Sequence, residues 1–179
     1  MIFTKHFGTK VVLDRKNIEI KRGKKYLLWG KSGIGKTTLI RILAGLESNE
    51  EDSIIDVGRV SVVFQEDRLL NSFTAEENLL TVCSDKNKVR EYLKAFDIPR
   101  GQRVREFSGG MKRRVAILRA LLYEHDTLLM DEPFTGLDDE TYKSVISFIN
   151  EREKGKTIII VSHEERVNKD LLIDEVIEF

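Results

Sequence analysis

One octapeptide limits this chain more than any other feature. Gly30-Lys31-Ser32-Gly33-Ile34-Gly35-Lys36-Thr37 follows the apolar run Lys25-Tyr26-Leu27-Leu28-Trp29. It precedes a stretch, Lys36 to Leu46, in which Leu39, Ile42, Leu43 and Leu46 fall on one helical face. The octapeptide satisfies G-x-x-x-x-G-K-[ST] at every fixed position. In a strand–turn–helix context, glycines let backbone N–H groups curl around phosphate oxygens, and the helix points its positive end at the anion. Lys36 is then expected at the β- and γ-phosphates, and the Thr37 hydroxyl at Mg²⁺. A chance glycine-rich turn is the competing reading of the motif alone. A dinucleotide fingerprint fails, because Thr38 stands where its third glycine belongs.

The rest of the chain alternates strand and helix. Val11, Leu13, Ile18 and Ile20 suggest an antiparallel edge strand over about 10–20. Arg59 to Phe64, Thr127 to Met130 and Thr157 to Val161 read as further strands, and Asp174 to Phe179 as a final one. Residues 74–106 read as helical and mostly polar, Gly109 to Tyr123 as a strong amphipathic helix, and Asp139 to Glu151 as another. Glu47 to Asp52 reads as a polar surface loop. Continuous apolar strands separated by helices indicate an α/β fold with a mostly parallel sheet covered on both faces. The polar helical stretch is the best candidate for an inserted subdomain.

A second acidic element lies downstream. Leu128-Leu129-Met130 runs into Asp131-Glu132. A strand of this kind is expected next to the strand that feeds the phosphate loop. Asp131 can hold the Mg²⁺ shell, and Glu132 can orient and polarise an attacking water. Pro133 disfavours helix at Glu132, which predicts that the carboxylate sits on an extended strand tip. Taken alone, the pair also fits a solvated strand exit.

Composition narrows the class. Lys+Arg and Asp+Glu both total 30, so the net charge is zero, unlike a broadly basic nucleic-acid binder. With 41% hydrophobic residues the chain is not of disordered composition, and its 179 residues suit one domain with a small subdomain. The lone Cys83 allows no intrachain disulfide and reads as a small buried residue, which points to a reducing compartment. No window approaches a membrane span, and Met1 to Phe7 lacks a secretory h-region.

Further motifs complete a pattern. Phe107-Ser108-Gly109-Gly110-Met111 opens the amphipathic helix, and a Ser-Gly-Gly at a helix N-terminus is a second anion-binding surface. Gln65 follows the Val62-Val63-Phe64 strand, Gly136-Leu137-Asp138 precedes the next helix, and Ser162-His163 ends the strand after it. In this order the motifs resemble the ATP-binding cassette (ABC) ATPases, from Phe7 nearly to the C-terminus. The resemblance implies a P-loop NTPase with a reduced antiparallel β-region. About 1–66 and 125–179 would form the nucleotide-binding core, and about 67–124 a helical subdomain carrying the signature.

The resemblance also implies roles and cofactors. ATP and Mg²⁺ would be bound. Phe7 would stack on adenine, although a lone phenylalanine is more often core. Gly30 to Thr38 would cradle the phosphates. Thr37, Gln65 and Asp131 would hold Mg²⁺, and Gln65 would also sense the attacking water and serve the chemistry. Lys36, Glu132 and His163 would serve the chemistry. Ser108, Gly109 and Gly110 would meet the γ-phosphate bound on an opposed subunit, and Asp138 would cross that interface. Two-fold symmetry brings each subunit's phosphate loop to the other's signature helix. The working unit would be a head-to-tail homodimer, or a pseudo-dimer with a related ATPase, held by transmembrane permease subunits at the inner face of the cell membrane. No nucleic acid is expected as a partner. His163-Glu164 does not extend to H-E-x-x-H, because Val167 stands at the last position. Lys112, Arg113 and Arg114 read as a solvated helix face.

The chain departs from the family in Met111, Phe107 and a short Leu46–Phe64 spacing. Phe64 to Leu70 and Glu77-Asn78-Leu79 resemble ATPases of nitrate, sulfonate and taurine importers. A non-transport ABC ATPase acting on nucleic acid or ribosomes is the alternative, but no sustained heptad run is present and there is one cassette rather than two. An ATP-gated switch without turnover is a third reading, which Glu132 and His163 oppose.

Overall fold

In a computed structural model of the chain, residues 1–51 and 55–179 are described; Asp52, expected to end the acidic loop, lies outside them. The chain divides into two compact units. One comprises Met1–Val62, His125–Glu132 and Gly155–Phe179, and the other Val63–Glu124 and Pro133–Lys154.

The first unit opens with a hairpin. β1 (Ile2–Phe7) pairs antiparallel with β2 (Lys10–Asn17). β1 is not legible in the sequence, because only Phe3 and Lys5 face inward and the remainder is polar or exposed. Side chains at residues 48–50 hold it. The Thr4 amide donates to Asn49 Oδ1 (3.0 Å), Lys5 Nζ to Ser48 Oγ (2.9 Å) and the His6 amide to Glu50 Oε1 (2.8 Å).

The five-stranded sheet has the order β4-β5-β6-β3-β7, with β3 (Lys25–Trp29), β4 (Val60–Val63), β5 (Thr127–Asp131), β6 (Thr157–Val161) and β7 (Glu175–Glu178). β3 pairs in parallel with β6 and β7, and β5 with β6. Every residue of β5 and β6 is buried, as continuous apolar runs in a parallel interior require. The acidic strand β5 is therefore not beside β3, as the sequence suggested; β6 lies between them. Register compensates, since Leu28 pairs with Val161 and Val161 with Asp131, so three strands end together along one edge. Open α/β sheets place ligands at such carboxyl ends.

α1 (Lys36–Leu43) follows β3 and is shorter than expected: Ala44 caps it and Gly45 turns with φ +70°. Its apolar face (Leu39, Ile40, Ile42, Leu43) joins one core with Phe3 and Leu13 of the hairpin and Leu129, Ile159 and Val161 of the sheet. A short α6 (Arg166–Asp170) escapes sequence reading.

The second unit is helical. The stretch 74–106 is not continuous helix. It breaks into α2 (Ala75–Leu80), α3 (Lys86–Ala95) and a 3-10 turn (Val104–Glu106). Caps set the breaks: Thr74 and Glu77 form a reciprocal capping box, and the Asp85 carboxylate accepts from the Asn87 and Lys88 amides. α4 (Gly109–Leu122) and α5 (Asp139–Arg152) follow. Phe148 of α5 meets Tyr92 and Phe96 edge-on at 4.9 and 5.0 Å.

Candidate functional site

The phosphate loop folds as its glycines permit. Gly30, Gly33 and Gly35 all have positive φ. Gly35 caps α1 with φ +113°, and a Cβ there would lie 2.9 Å from the Val12 carbonyl oxygen. Lys31, Ser32, Gly33, Ile34 and Thr37 are exposed, Thr38 is half-buried, and no acidic residue occupies the first turn of α1. The loop thus offers its amides and an uncompensated helix dipole to an anion.

Lys36 is 5% exposed, and its Nζ donates to the Gly30 and Lys31 carbonyls at 2.7 and 2.8 Å. Burial lowers its pKa from the ordinary lysine value, opposed by the nearby carboxylates of Glu132 and Asp131. Asp131 is buried at the end of β5.

Glu132 departs from expectation. Its φ is +48°, so it is in the left-handed region and not on an extended strand tip. Its amide still donates to the Val161 carbonyl at 2.9 Å, which ties it to the β6 end while the following Pro133 forbids a right-handed continuation. Such a conformation is held only where surroundings over-determine it, and it clusters at functional sites. The Glu132 side chain is 18% exposed, with Oε1 3.3 Å from His163 Nε2. Burial pushes the carboxyl above the usual glutamate range, against the opposing pull of His163. The His163 side chain is 51% exposed, and its ring centroid lies 6.4 Å from that of Trp29. Lys36, Asp131, Glu132 and His163 are therefore brought together at one sheet edge.

Phe7 ends β1, 48% exposed, with Lys5 Nζ 5.4 Å from its ring centroid. It is not core.

In the helical unit, Ser108 caps α4, its Oγ accepting from the Met111 amide at 3.3 Å. Ser108 and Gly109 are exposed, Gly110 is half-buried and the first turn of α4 is free of acid, whereas Phe107 is buried beneath. Asp138 caps α5: Oδ1 accepts from the Thr141 amide at 2.9 Å and Oδ2 from its hydroxyl at 2.8 Å. These bonds hold the Asp138 carboxyl below the usual range. Gln65 is exposed, two residues beyond β4.

The basic run at 112–114 is not a solvated face. Arg113 is 4% exposed, and its guanidinium donates to the Pro133, Phe64 and Gln65 carbonyls. Arg114 donates to the Phe96 carbonyl at 2.6 Å. Helical spacing carried the signal for Arg113, which shares a stripe with buried Ala116, Ile117, Ala120 and Leu121. Cys83 is half-buried rather than buried. Among the described residues no group of three or more His, Cys, Asp or Glu could hold a metal ion, and no helix is long and apolar enough to cross a membrane.

Residues 13–135 match the ABC transporter family. The chain belongs to that family. It is 38% identical over 180 residues to the aliphatic sulfonates import ATP-binding protein SsuB of Bacillus cereus, covering 90% of this chain and 71% of that protein. It is 35% identical over 195 residues to the methionine import ATP-binding protein MetN of Clostridium tetani, covering 93% of this chain and 61% of that protein. The fold is similar to the dimeric post-hydrolysis structure of the ATP-binding cassette MJ0796 bound to ADP and Pi, with TM-score 0.83, 25% identity and coverage of 99% and 91%. This chain is an ABC ATPase of the importer type. The resemblance read from its motifs is borne out, as is the α/β P-loop fold with its parallel sheet.

Proposed function

We propose that this chain binds Mg²⁺ and ATP at the β3, β5 and β6 ends and hydrolyses ATP as half of a head-to-tail dimer. The dimer works for transmembrane permease subunits of an importer, at the inner face of the cell membrane. The observation that carries this reading is the convergence of Lys36, Asp131, Glu132 and His163 at one sheet edge. The exposed, uncompensated N-terminus of α4 at Ser108 is a second anion surface, and one chain has no evident use for both except through a second copy.

The loop amides and Lys36 bind the phosphates, and Lys36 exchanges its bonds to the Gly30 and Lys31 carbonyls for phosphate oxygens. The Thr37 hydroxyl and the Asp131 carboxylate are hard oxygen donors, which suits Mg²⁺, a cation that takes its remaining ligands from water and phosphate. When bound, Mg²⁺ neutralises charge across the β- and γ-phosphates. Glu132 orients the attacking water and accepts its proton, with a carboxyl whose burial makes it a better base than an exposed glutamate. His163, beside Glu132 and half-exposed, is free to reach the γ-phosphate. Gln65 senses the metal and water. The other subunit's signature helix N-terminus stabilises the equatorial charge. Phe7 stacks on the base, and Asp138, fixed as the α5 cap, faces the dimer partner.

Phosphate release measured against protein concentration tests the reading. Turnover per chain is expected to rise with concentration as dimers form. Ser108→Arg is expected to abolish turnover while leaving ATP binding to the single chain intact. A monomer that hydrolyses ATP at full rate refutes the dimer. Co-purification with a polytopic membrane protein tests the transport assignment.

A further inference from the structure

Arg113 is a deeply buried charge, 4% exposed, that the mechanism above does not use. It is the fifth residue of α4, one turn beyond Gly109 of the signature. Its Nε donates to the Pro133 carbonyl at 2.7 Å. Its Nη1 donates to the Phe64 carbonyl at 2.6 Å and the Gln65 carbonyl at 3.3 Å, and lies 3.2 Å from Asp67 Oδ1. Burying a guanidinium carries a large desolvation cost that only well-aimed acceptors and a counter-charge offset. An apolar side chain of similar size would fill the space without that cost. What the guanidinium adds is geometry: a rigid, always-charged fork holds several carbonyls in one plane.

The acceptors are not arbitrary. Gln65 is the metal- and water-sensing residue of the proposed mechanism. Pro133 is the residue directly after Glu132, whose backbone is strained. We propose that Arg113 is a positioning residue that ties the Gln65 backbone and the Pro133 carbonyl, one residue beyond Glu132, to the signature helix. A phosphate engaged at Ser108 thereby sets the water-handling residues. The inference rests on the proposed roles of Gln65 and Ser108. It assigns Arg113 no contact with ATP.

The test is a double-mutant cycle in the full chain. Gln65→Ala removes the side chain but keeps the carbonyl that Arg113 grips. In the otherwise native chain, Arg113→Met is expected to leave the ATP dissociation constant within ~2-fold and lower kcat by at least ~10-fold. Arg113→Lys, which keeps the charge but loses the fork, is expected to fall between the wild type and Arg113→Met. In the Gln65→Ala background, Arg113→Met is expected to lower kcat by a smaller factor than in the native chain, the remaining loss acting through the Pro133 carbonyl. A merely structural role would lower kcat by the same factor in both backgrounds, and that result overturns the proposal. So does unchanged kcat in Arg113→Met. If Arg113→Met does not fold, Asp67→Asn weakens the same clamp from a half-buried position, and the same comparison of backgrounds decides. Full turnover in Gln65→Ala alone would instead sink the assignment of Gln65 in the proposed function, and this inference with it.

Discussion

Glu132→Gln separates catalysis from stability, because burial drives them in opposite directions. The side chain is 18% exposed, and the left-handed backbone holds Oε1 3.3 Å from His163. Glutamine preserves the shape and removes the base. A positioned general base contributes ~10²–10⁴-fold. At ~1.36 kcal/mol per decade, the loss is ~2.7–5.5 kcal/mol of transition-state stabilisation. ATP binding should persist, since Lys36 and the loop amides are untouched, and an ATP-bound dimer should accumulate. For stability the sign reverses. Burial raises the Glu132 pKa above its ordinary 4.5, outweighing the attraction of His163. The native state therefore holds this proton to higher pH than the unfolded chain. The wild type loses stability as pH rises from the unfolded pKa through the raised folded one. The neutral glutamine amide carries no such cost, so the variant's melting temperature should exceed the wild type's by more at pH 8 than at pH 5. Phosphate release and thermal melts at the two pH values check both halves. Turnover within ~3-fold of wild type would remove Glu132 from catalysis. A variant less stable at pH 8 and equal at pH 5 would show that the carboxylate is held by attraction and that the burial argument is wrong.

Two other substitutions probe the ends of the nucleotide site. Gly35→Ala places a Cβ 2.9 Å from the Val12 carbonyl oxygen and 3.0 Å from Leu13 Cδ2, at φ +113°. The backbone strain alone costs ~1–3 kcal/mol. Urea unfolding should show at least that loss, and a shift of the midpoint within error would mean that the cap relaxes freely. Phe7→Ala should weaken ATP and GTP equally, by the ~1–3 kcal/mol per base typical of aromatic stacking, because every base has a π-face. Equilibrium binding that separates ATP from GTP, or shows no loss for either, would remove Phe7 as the base platform.

The parts of this protein legible in its sequence are those whose determinants are local. Gly30–Thr37 names its own turn, helix and ligand class within eight positions. β3, β5 and β6 declare themselves as continuous apolar runs, since interior parallel strands have no polar face to alternate. The helix starts read at Gly109 and Asp139 hold, because Ser108 and Asp138 stand directly before them and each side chain bonds an amide three residues on.

What escaped depends on distant partners. β1 is completed by distant partners: besides its pairing with β2, it is held by Asn49, Ser48 and Glu50, more than 40 residues away. The place of β6 between β3 and β5 is a matter of crossover, which apolar runs do not encode. The positive φ of Glu132 follows from a bond to Val161 on another strand, and Pro133 excluded only the helical alternative. Arg113 shows the same limit from the side of charge. Three consecutive basic residues look solvated until the helical stripes are drawn: Arg113 and Arg114 both have buried apolar residues three, four, seven and eight positions on, and Arg113 is the one that is fully buried. A charge on a buried stripe must be answered by acceptors, and those acceptors are carbonyls of the glutamine loop and of Pro133. A polar residue that breaks an apolar stripe is thus itself a readable signal. It says that backbone from elsewhere in the chain converges there, although it cannot say which.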